Sequence, residues 1–413
     1  MAAAGRTEEA GRHAAHVMRS NPDHLVYLDH AATTPMVPAA FAAMEPYFAE
    51  RFGNASSIYG LAQDARRAID EARERCARVL GSRASEIIFT SGGTESDNAA
   101  LMGAALALRE RGRHIVTTQI EHHAVLSATE LLTELGFEVA YVRPGKDGIV
   151  SPESVAAALR PDTTVVSVML ANNEIGTIQP VAAIAEQVRA ASGSKRRIVL
   201  HTDAVQAPGL LPVDVDALGV DMLTLSAHKF GGPKGAGLLY VRRGTPFRPT
   251  QVGGAQERDR RAGTENTPGI VGMAAALEAA EAARAASVER CQTMRDSIIA
   301  GITERVEDAR LNGHPTERLA NNANLSLPGV EAEPLLMGLD LAGIAASSGS
   351  ACTAASLEPS HVLLALGQSD NLARSSLRLT VGPENTAEEI AYTVDTVAAL
   401  AAKLRRLAGS AKR

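Results

Sequence analysis

The stretch that decides the fold reads Leu223-Thr224-Leu225-Ser226-Ala227-His228-Lys229-Phe230-Gly231-Gly232-Pro233-Lys234-Gly235. The run from Asp221 to Leu225 reads as a buried strand, ending in Ser-Ala-His-Lys. Gly-Gly-Pro-Lys-Gly then continues neither strand nor helix, and a second apolar run follows from Ala236 to Val241. A lysine on so sharp a turn, at the end of a buried strand, is positioned for use. A lone lysine in a β-turn is ordinarily a surface residue, so its meaning depends on the rest of the chain.

Outward from this turn the pattern is strand, turn, helix, repeated. Glu86–Thr90 reads as a strand, Ser91–Thr94 as a turn and Glu95–Leu108 as a helix. His114–Thr118 leads through Glu121-His122-His123 into a helix over 124–135. Strands are also expected at Phe137–Val142, Thr164–Leu170 and Ile198–Thr202, with helices at Pro152–Leu159 and Val181–Ala191. Upstream, Leu25–Asp29 reads as a strand, Val37–Phe52 as one helix and Leu61–Leu80 as a charged helix. Such alternation predicts an α/β fold with a parallel sheet covered on both faces. Ligands of these sheets bind beyond the carboxyl ends of the strands. Thr94, His122, Asn173, Asp203, Gln206, His228 and Lys229 all fall there. After Gly269 a long Ala-rich helix, Ile270 to about Val306, leads into a different order of strands and helices, as in a smaller α+β domain. The expected division is an N-terminal extension over 1–24, disordered; a large domain over 41–269; and a small domain from 25–40 and 270–413.

At 413 residues two domains are the prior. A net charge of −6 gives no reason to expect nucleic acid as a partner. No apolar run reaches membrane-spanning length. The three cysteines, Cys76, Cys291 and Cys352, are too few and scattered for a disulfide framework or a metal cluster, and a reducing cytoplasm is the expected location.

Gly92-Gly93-Thr94-Glu95, between strand and helix, gathers backbone N–H groups and the helix dipole where an anion, most often phosphate, binds. It lacks the Gly-Lys-Ser/Thr of a nucleotide loop, and no G-x-G-x-x-G is present. Asp203 ends an apolar strand, and a buried carboxylate needs a cationic or donor partner. A pyridinium N–H is one such partner: in pyridoxal phosphate (PLP) enzymes an Asp keeps the ring nitrogen protonated, while a lysine links covalently to the cofactor. Phosphate turn, Asp203 and Ser226-Ala227-His228-Lys229 supply the three anchors this cofactor needs.

The chain resembles the cysteine desulfurases, in the class-V aminotransferase group of fold-type-I PLP enzymes, from about Val26 to Thr396. The resemblance is carried by Leu-Asp-His-Ala-Ala-Thr-Thr-Pro at 28–35, Gly-Asn-Ala-Ser-Ser at 53–57, Thr-Ser-Gly-Gly-Thr-Glu-Ser-Asp-Asn at 90–98 and Glu-His-His-Ala at 121–124. Asn-Asn-Glu-Ile-Gly at 172–176, Ser-Ala-His-Lys at 226–229, Arg-Ala-Gly-Thr-Glu-Asn at 261–266 and Ser-Ser-Gly-Ser-Ala-Cys at 347–352 complete it. It implies a large domain with a mostly parallel seven-stranded sheet between helices. It also implies Lys229 as the cofactor-linking lysine, Asp203 as the pyridinium partner and His122 as the ring-stacking, proton-handling histidine, although spacing alone leaves a swap with His123 open. Gly93, Thr94, Ser226 and His228 match the phosphate binders, and Asn173 and Gln206 match residues that contact the ring substituents. Thr264 matches a threonine that reaches the phosphate of the neighbouring subunit, which implies a homodimer. Arg378 matches the clamp for the substrate carboxylate, a task suited to its planar fork, and Asn54 is expected to assist it. His30, Ile58-Tyr59 and Gly93 depart from the commonest pattern of the group.

Cys352 lies in a run of small residues with no apolar period, expected to be mobile. It matches the thiol that takes sulfur from L-cysteine, leaving L-alanine and a persulfide that passes to an acceptor protein, an iron–sulfur scaffold or another sulfur carrier. The loop resembles that of the first, long-loop desulfurase class. The competing readings are a selenocysteine lyase, aminotransferase or epimerase on the same fold, and a non-catalytic sulfur-relay scaffold.

Overall fold

The computed structural model describes residues 25–192, 197–348 and 358–410. The expected N-terminal extension and Cys352 lie outside the described residues. The strands are β1 (Val26–Tyr27), β2 (Ile87–Thr90), β3 (His114–Thr118), β4 (Glu138–Val142), β5 (Thr163–Ser167), β6 (Val199–Asp203), β7 (Met222–Ser226), β8 (Gly237–Val241), β9 (Arg310–Leu311), β10 (Asn322–Ser326), β11 (Ile344–Ala345) and β12 (Ser376–Thr380).

Seven of them form one sheet in the order β2-β8-β7-β6-β5-β3-β4. All neighbours are parallel except β8, which runs antiparallel to β2 and β7. This is the mostly parallel seven-stranded sheet that the resemblance implied. Alternation along each strand explains how it is covered. Leu223, Leu225, Leu238 and Tyr240 enter a core with the helices Gly60–Val79 and Thr267–Arg305. Met222, Leu239 and Val241 face the opposite way, into a core with Ala100, Leu101 and Leu108 of the helix Gly93–Leu108. A third core joins β1, β10 and β12 to the final helix Ala387–Ser410 through Val26, Leu325, Leu377 and Val394. The 39-residue helix Thr267–Arg305 spans both regions: its Ile270–Leu277 part packs in the first core and its Cys291–Ile302 part in the third.

Three elements differ from their sequence reading, one of them the strand expected over Thr164–Leu170, which is Thr163–Ser167. The single helix expected over Val37–Phe52 is two, Pro38–Met44 and Pro46–Ala49, broken at Pro46, whose missing N–H and ring prevent an uninterrupted helix. The first strand is only Val26–Tyr27, after which the chain turns through the 29–35 loop.

Candidate active site

The carboxyl ends of β6 and β7 and the start of the helix Gly93–Leu108 meet at a cavity of about 350 Å³. Gly92 starts that helix at φ 156° and ψ −177°, a backbone state essentially reserved for glycine. A Cβ on Gly93 would lie 3.0 Å from Val205 Cγ2 and 3.4 Å from Ser226 Cβ, so this end of the cavity is closely packed. β8 also needs glycine here, because a Cβ on Gly237 would approach the Gly92 backbone to 2.5 Å.

β7 ends at Ser226 and passes into a single 3-10 turn, Ala227–Lys229. Lys229 Nζ donates to the carbonyls of Ala31 at 2.6 Å and Ala32 at 2.8 Å. Gln206 Nε2 donates to the same Ala31 carbonyl at 3.1 Å. His228 Nδ1 lies 3.1 Å from Thr33 Oγ1, and Thr34 Oγ1 donates to the His228 carbonyl at 2.9 Å. The 28–35 motif therefore wraps the lysine turn. It also supplies Asp29, whose Oδ1 accepts from Arg378 Nη2 at 2.8 Å, while Arg378 Nη1 donates to the Asn173 carbonyl at 3.0 Å. Nothing in the sequence pattern pointed to Asp29, Ala31 or Ala32 in these roles; the contacts span nearly two hundred residues or more.

His122 caps the helix His123–Glu134, its Nδ1 accepting from the Ala124 N–H at 3.1 Å. That contact leaves Nε2 to carry the ring proton of the neutral form. Burial, then the charge of Lys229, push His122 down to about 4, so the ring is neutral at pH 7. His228 is likewise lowered to about 4 by burial and Lys229. Asp203 accepts the Val205 N–H at 2.9 Å and is pushed up to about 6 by burial. Two further buried carboxyls feel the charge of Asp203, neither singled out by sequence reasoning. Glu121 accepts from Thr118 Oγ1 at 2.7 Å and from the Met169 N–H at 3.0 Å, and burial lifts it to about 8. Asp97 sits on the helix Gly93–Leu108, and burial raises it well above the usual carboxylate range. An acidic residue on the buried face of an Ala-rich helix was the signal available for Asp97.

Of the sequence-predicted residues, Gly93, Thr94, His122, Asn173, Asp203, Gln206, Ser226, His228, Lys229 and Arg378 line this one cavity. His123 lines it too but is exposed, where His122 is half-buried. Thr264 lines a separate cavity of about 100 Å³. Asn54 stands outside both, its Oδ1 accepting the Ser56 N–H at 2.9 Å. An anion cradle, a nucleophilic amine and buried acids in one cavity suit a phosphorylated electrophile.

The model of the family described as aminotransferase class-V matches residues 26–392. The chain belongs to the class-V aminotransferase family. It is 48% identical to cysteine desulfurase IscS of Dictyoglomus turgidum, over 92% of this chain and 96% of that protein. It is 48% identical to the cysteine desulfurase IscS of Methanosarcina thermophila, over 94% and 95%. Among solved structures, a NifS-like protein superposes with a TM-score of 0.85 at 36% identity, covering 91% of this chain and 99% of that one. SspA in complex with cysteine superposes with a TM-score of 0.77 at 35% identity, over 87% and 100%. These similarities put the chain among the cysteine desulfurases of its family, which is PLP-dependent. Among the described residues no helix is long and apolar enough to cross a membrane.

Proposed function

We propose that the chain takes sulfur from L-cysteine with PLP bound in the Lys229 cavity, releasing L-alanine and passing the sulfur through Cys352 to an acceptor protein in a reducing cytoplasm. One observation carries this reading: Lys229, Asp203 and the helix start at Gly93–Thr94 face a single cavity. The residues fit the cofactor. Gly93, Thr94, Ser226 and neutral His228 offer donors to a phosphate at a helix N-terminus. Asp203 is the buried carboxylate for a ring N–H, and Asn173 and Gln206 stand in the same wall. When bound, the cofactor supplies an electron sink for the substrate α-carbon.

The remaining steps belong to the chain itself. Arg378 holds the substrate carboxylate, and Asp29 fixes the guanidinium that does so. Lys229 takes the α-proton, and His122, neutral at pH 7, accepts or returns a second proton through its ring. The Cys352 thiolate attacks the substrate sulfur: an S–S bond forms, the substrate C–S bond breaks and the carbon gains a proton on the way to alanine.

The reading includes a homodimer in which Thr264 serves the neighbouring subunit's phosphate. Two features support it: Thr264 lines its own small cavity, and Phe41, Phe48, Phe52, Ile58 and Tyr59 leave large apolar side chains 55% to 90% exposed along one stretch of chain. Borohydride trapping tests the central assignment. Reduction of the PLP-loaded protein is expected to fix the cofactor mass on a peptide containing Lys229; its appearance on another lysine would refute the assignment.

A further inference from the structure

Two carboxyls lie together under the proposed cofactor site, and they are not alike. Asp203 accepts a backbone N–H at 2.9 Å and feels the charge of Lys229. Asp97 is 1% exposed, lines the same cavity and has an Oδ1 with no hydrogen-bond partner among the described residues. His201 Nε2 lies 3.6 Å from that oxygen, too far for a hydrogen bond. His201 and Asp203 are two residues apart on β6, so they share a face of the sheet.

The surrounding polar atoms form a chain. His201 Nδ1 lies 2.9 Å from Ser167 Oγ, and its Nε2 lies 3.0 Å from Thr224 Oγ1. The Thr224 side chain also bonds the Asp97 carboxyl. Fully buried His201 is neutral, lowered to about 3, and can offer a ring lone pair to the Thr224 hydroxyl. Thr224 has one hydroxyl proton: given to Asp97 it lowers that carboxyl, against burial and the charge of Asp203 that raise it, and given to the His201 lone pair it no longer does so. The titratable and charged groups around Asp97 are Asp203, Glu121 and His201, with Lys229, His122, His123, Glu174, His228, His361 and Arg378 lining the same cavity. Two carboxylates in one dry site do not both ionise. An orphaned oxygen is also far less costly on a neutral acid than on a carboxylate.

We propose that Asp97 is the proton-holding member of this pair: a neutral carboxylic acid that acts as a positioning residue, leaving Asp203 as the single charge offered to the ring nitrogen. The proposal rests on the cofactor reading above for the identity of that nitrogen. Burial and the charge of Asp203 both raise Asp97, whereas Asp203 itself rises only to about 6 and is ionised at pH 7. The arrangement makes the two aspartates unequal toward substitution, since an amide imitates a protonated acid and not a carboxylate.

The test compares full-length wild type, Asp97→Asn and Asp203→Asn loaded with PLP labelled with ¹⁵N in the ring. Asp97→Asn is expected to keep the ring nitrogen protonated and to hold PLP within about threefold of wild type. Asp203→Asn is expected to lose the ring proton and at least about thirtyfold in affinity. The reverse order, or equal losses, would overturn the proposal. Denaturation of the cofactor-free full chain between pH 5 and 7 adds an independent readout. A proton bound only when folded steepens the fall of the folding constant by about tenfold per pH unit, and Asp97→Asn is expected to remove that increment. Parallel profiles would overturn the proposal. Aspartate carboxyl ¹³C NMR of wild type gives the answer without a variant: one carboxyl stays protonated at pH 7, and its absence would also overturn it. If wild type binds no PLP, the cofactor reading fails, while the denaturation and ¹³C experiments still decide on Asp97.

Discussion

Replacing Arg378 with lysine separates binding of the substrate from support of the fold. Arg378 lies on β12 with its side chain 2% exposed, bonded to Asp29 Oδ1 at 2.8 Å and to the Asn173 carbonyl at 3.0 Å. Removing the charge would leave Asp29 without its cation, a change that costs about 3–5 kcal/mol for a buried pair. Lysine keeps the charge and reaches a similar depth, but it is a point donor and cannot present a fork to a carboxylate. The loss on the substrate side is then one charge-assisted hydrogen bond, about 1.5–3 kcal/mol. At 1.4 kcal/mol per tenfold this raises KM for L-cysteine by roughly 10- to 150-fold. Alanine formation measured against L-cysteine concentration gives KM, and a melting curve on the same sample checks the fold. A KM within about threefold of wild type, in a folded variant, would refute the clamp and leave Arg378 as a structural partner of Asp29.

Three further outcomes follow from the packing and the buried groups. Gly237→Ala puts a Cβ 2.5 Å from the Gly92 backbone, so it is expected to cost about 1–3 kcal/mol in stability and to weaken PLP retention; unchanged retention would contradict the tight join of β8 to the anion turn. Burial pushes the thiols of Cys76 and Cys291 up to about 12 and about 11, so native alkylation followed by peptide mapping should spare both, with modification appearing only on unfolding. His201 is neutral when folded, at about 3, but titrates near 6.5 unfolded, so its contribution is present above pH 6.5 and is lost on acidification at about 1.4 kcal/mol per pH unit. Chemical denaturation between pH 4 and 6 should show that slope reduced in His201→Asn; parallel slopes would count against it.

The residues legible in the sequence were those that end strands. Asp203, Ser226, His228 and Lys229 follow buried apolar runs, and an α/β sheet exposes such positions at its carboxyl edge. His122 and Asn173 were found the same way, at turns after strands. What stayed hidden depends on contacts without local period. The carbonyls of Ala31 and Ala32 meet Lys229 across 198 and 197 residues, and Asp29 meets Arg378 across 349. Backbone acceptors carry no side-chain signature, so composition could not mark them. Asp97 and Glu121 sit in the motifs at 90–98 and 121–124, yet their burial depends on how the helix Gly93–Leu108 and the turn after β3 pack at the sheet edge. The helix break at Pro46 is readable from the proline itself, which cannot sit inside an uninterrupted helix.

The most direct measurement supplies L-cysteine and a reductant to the PLP-loaded protein and quantifies alanine and sulfide, with Cys352→Ser alongside. The account predicts equal amounts of alanine and sulfide from wild type. It predicts loss of that turnover in Cys352→Ser while the cofactor remains bound. Cofactor-loaded wild type that forms no alanine, or a Cys352→Ser variant with full turnover, would contradict it.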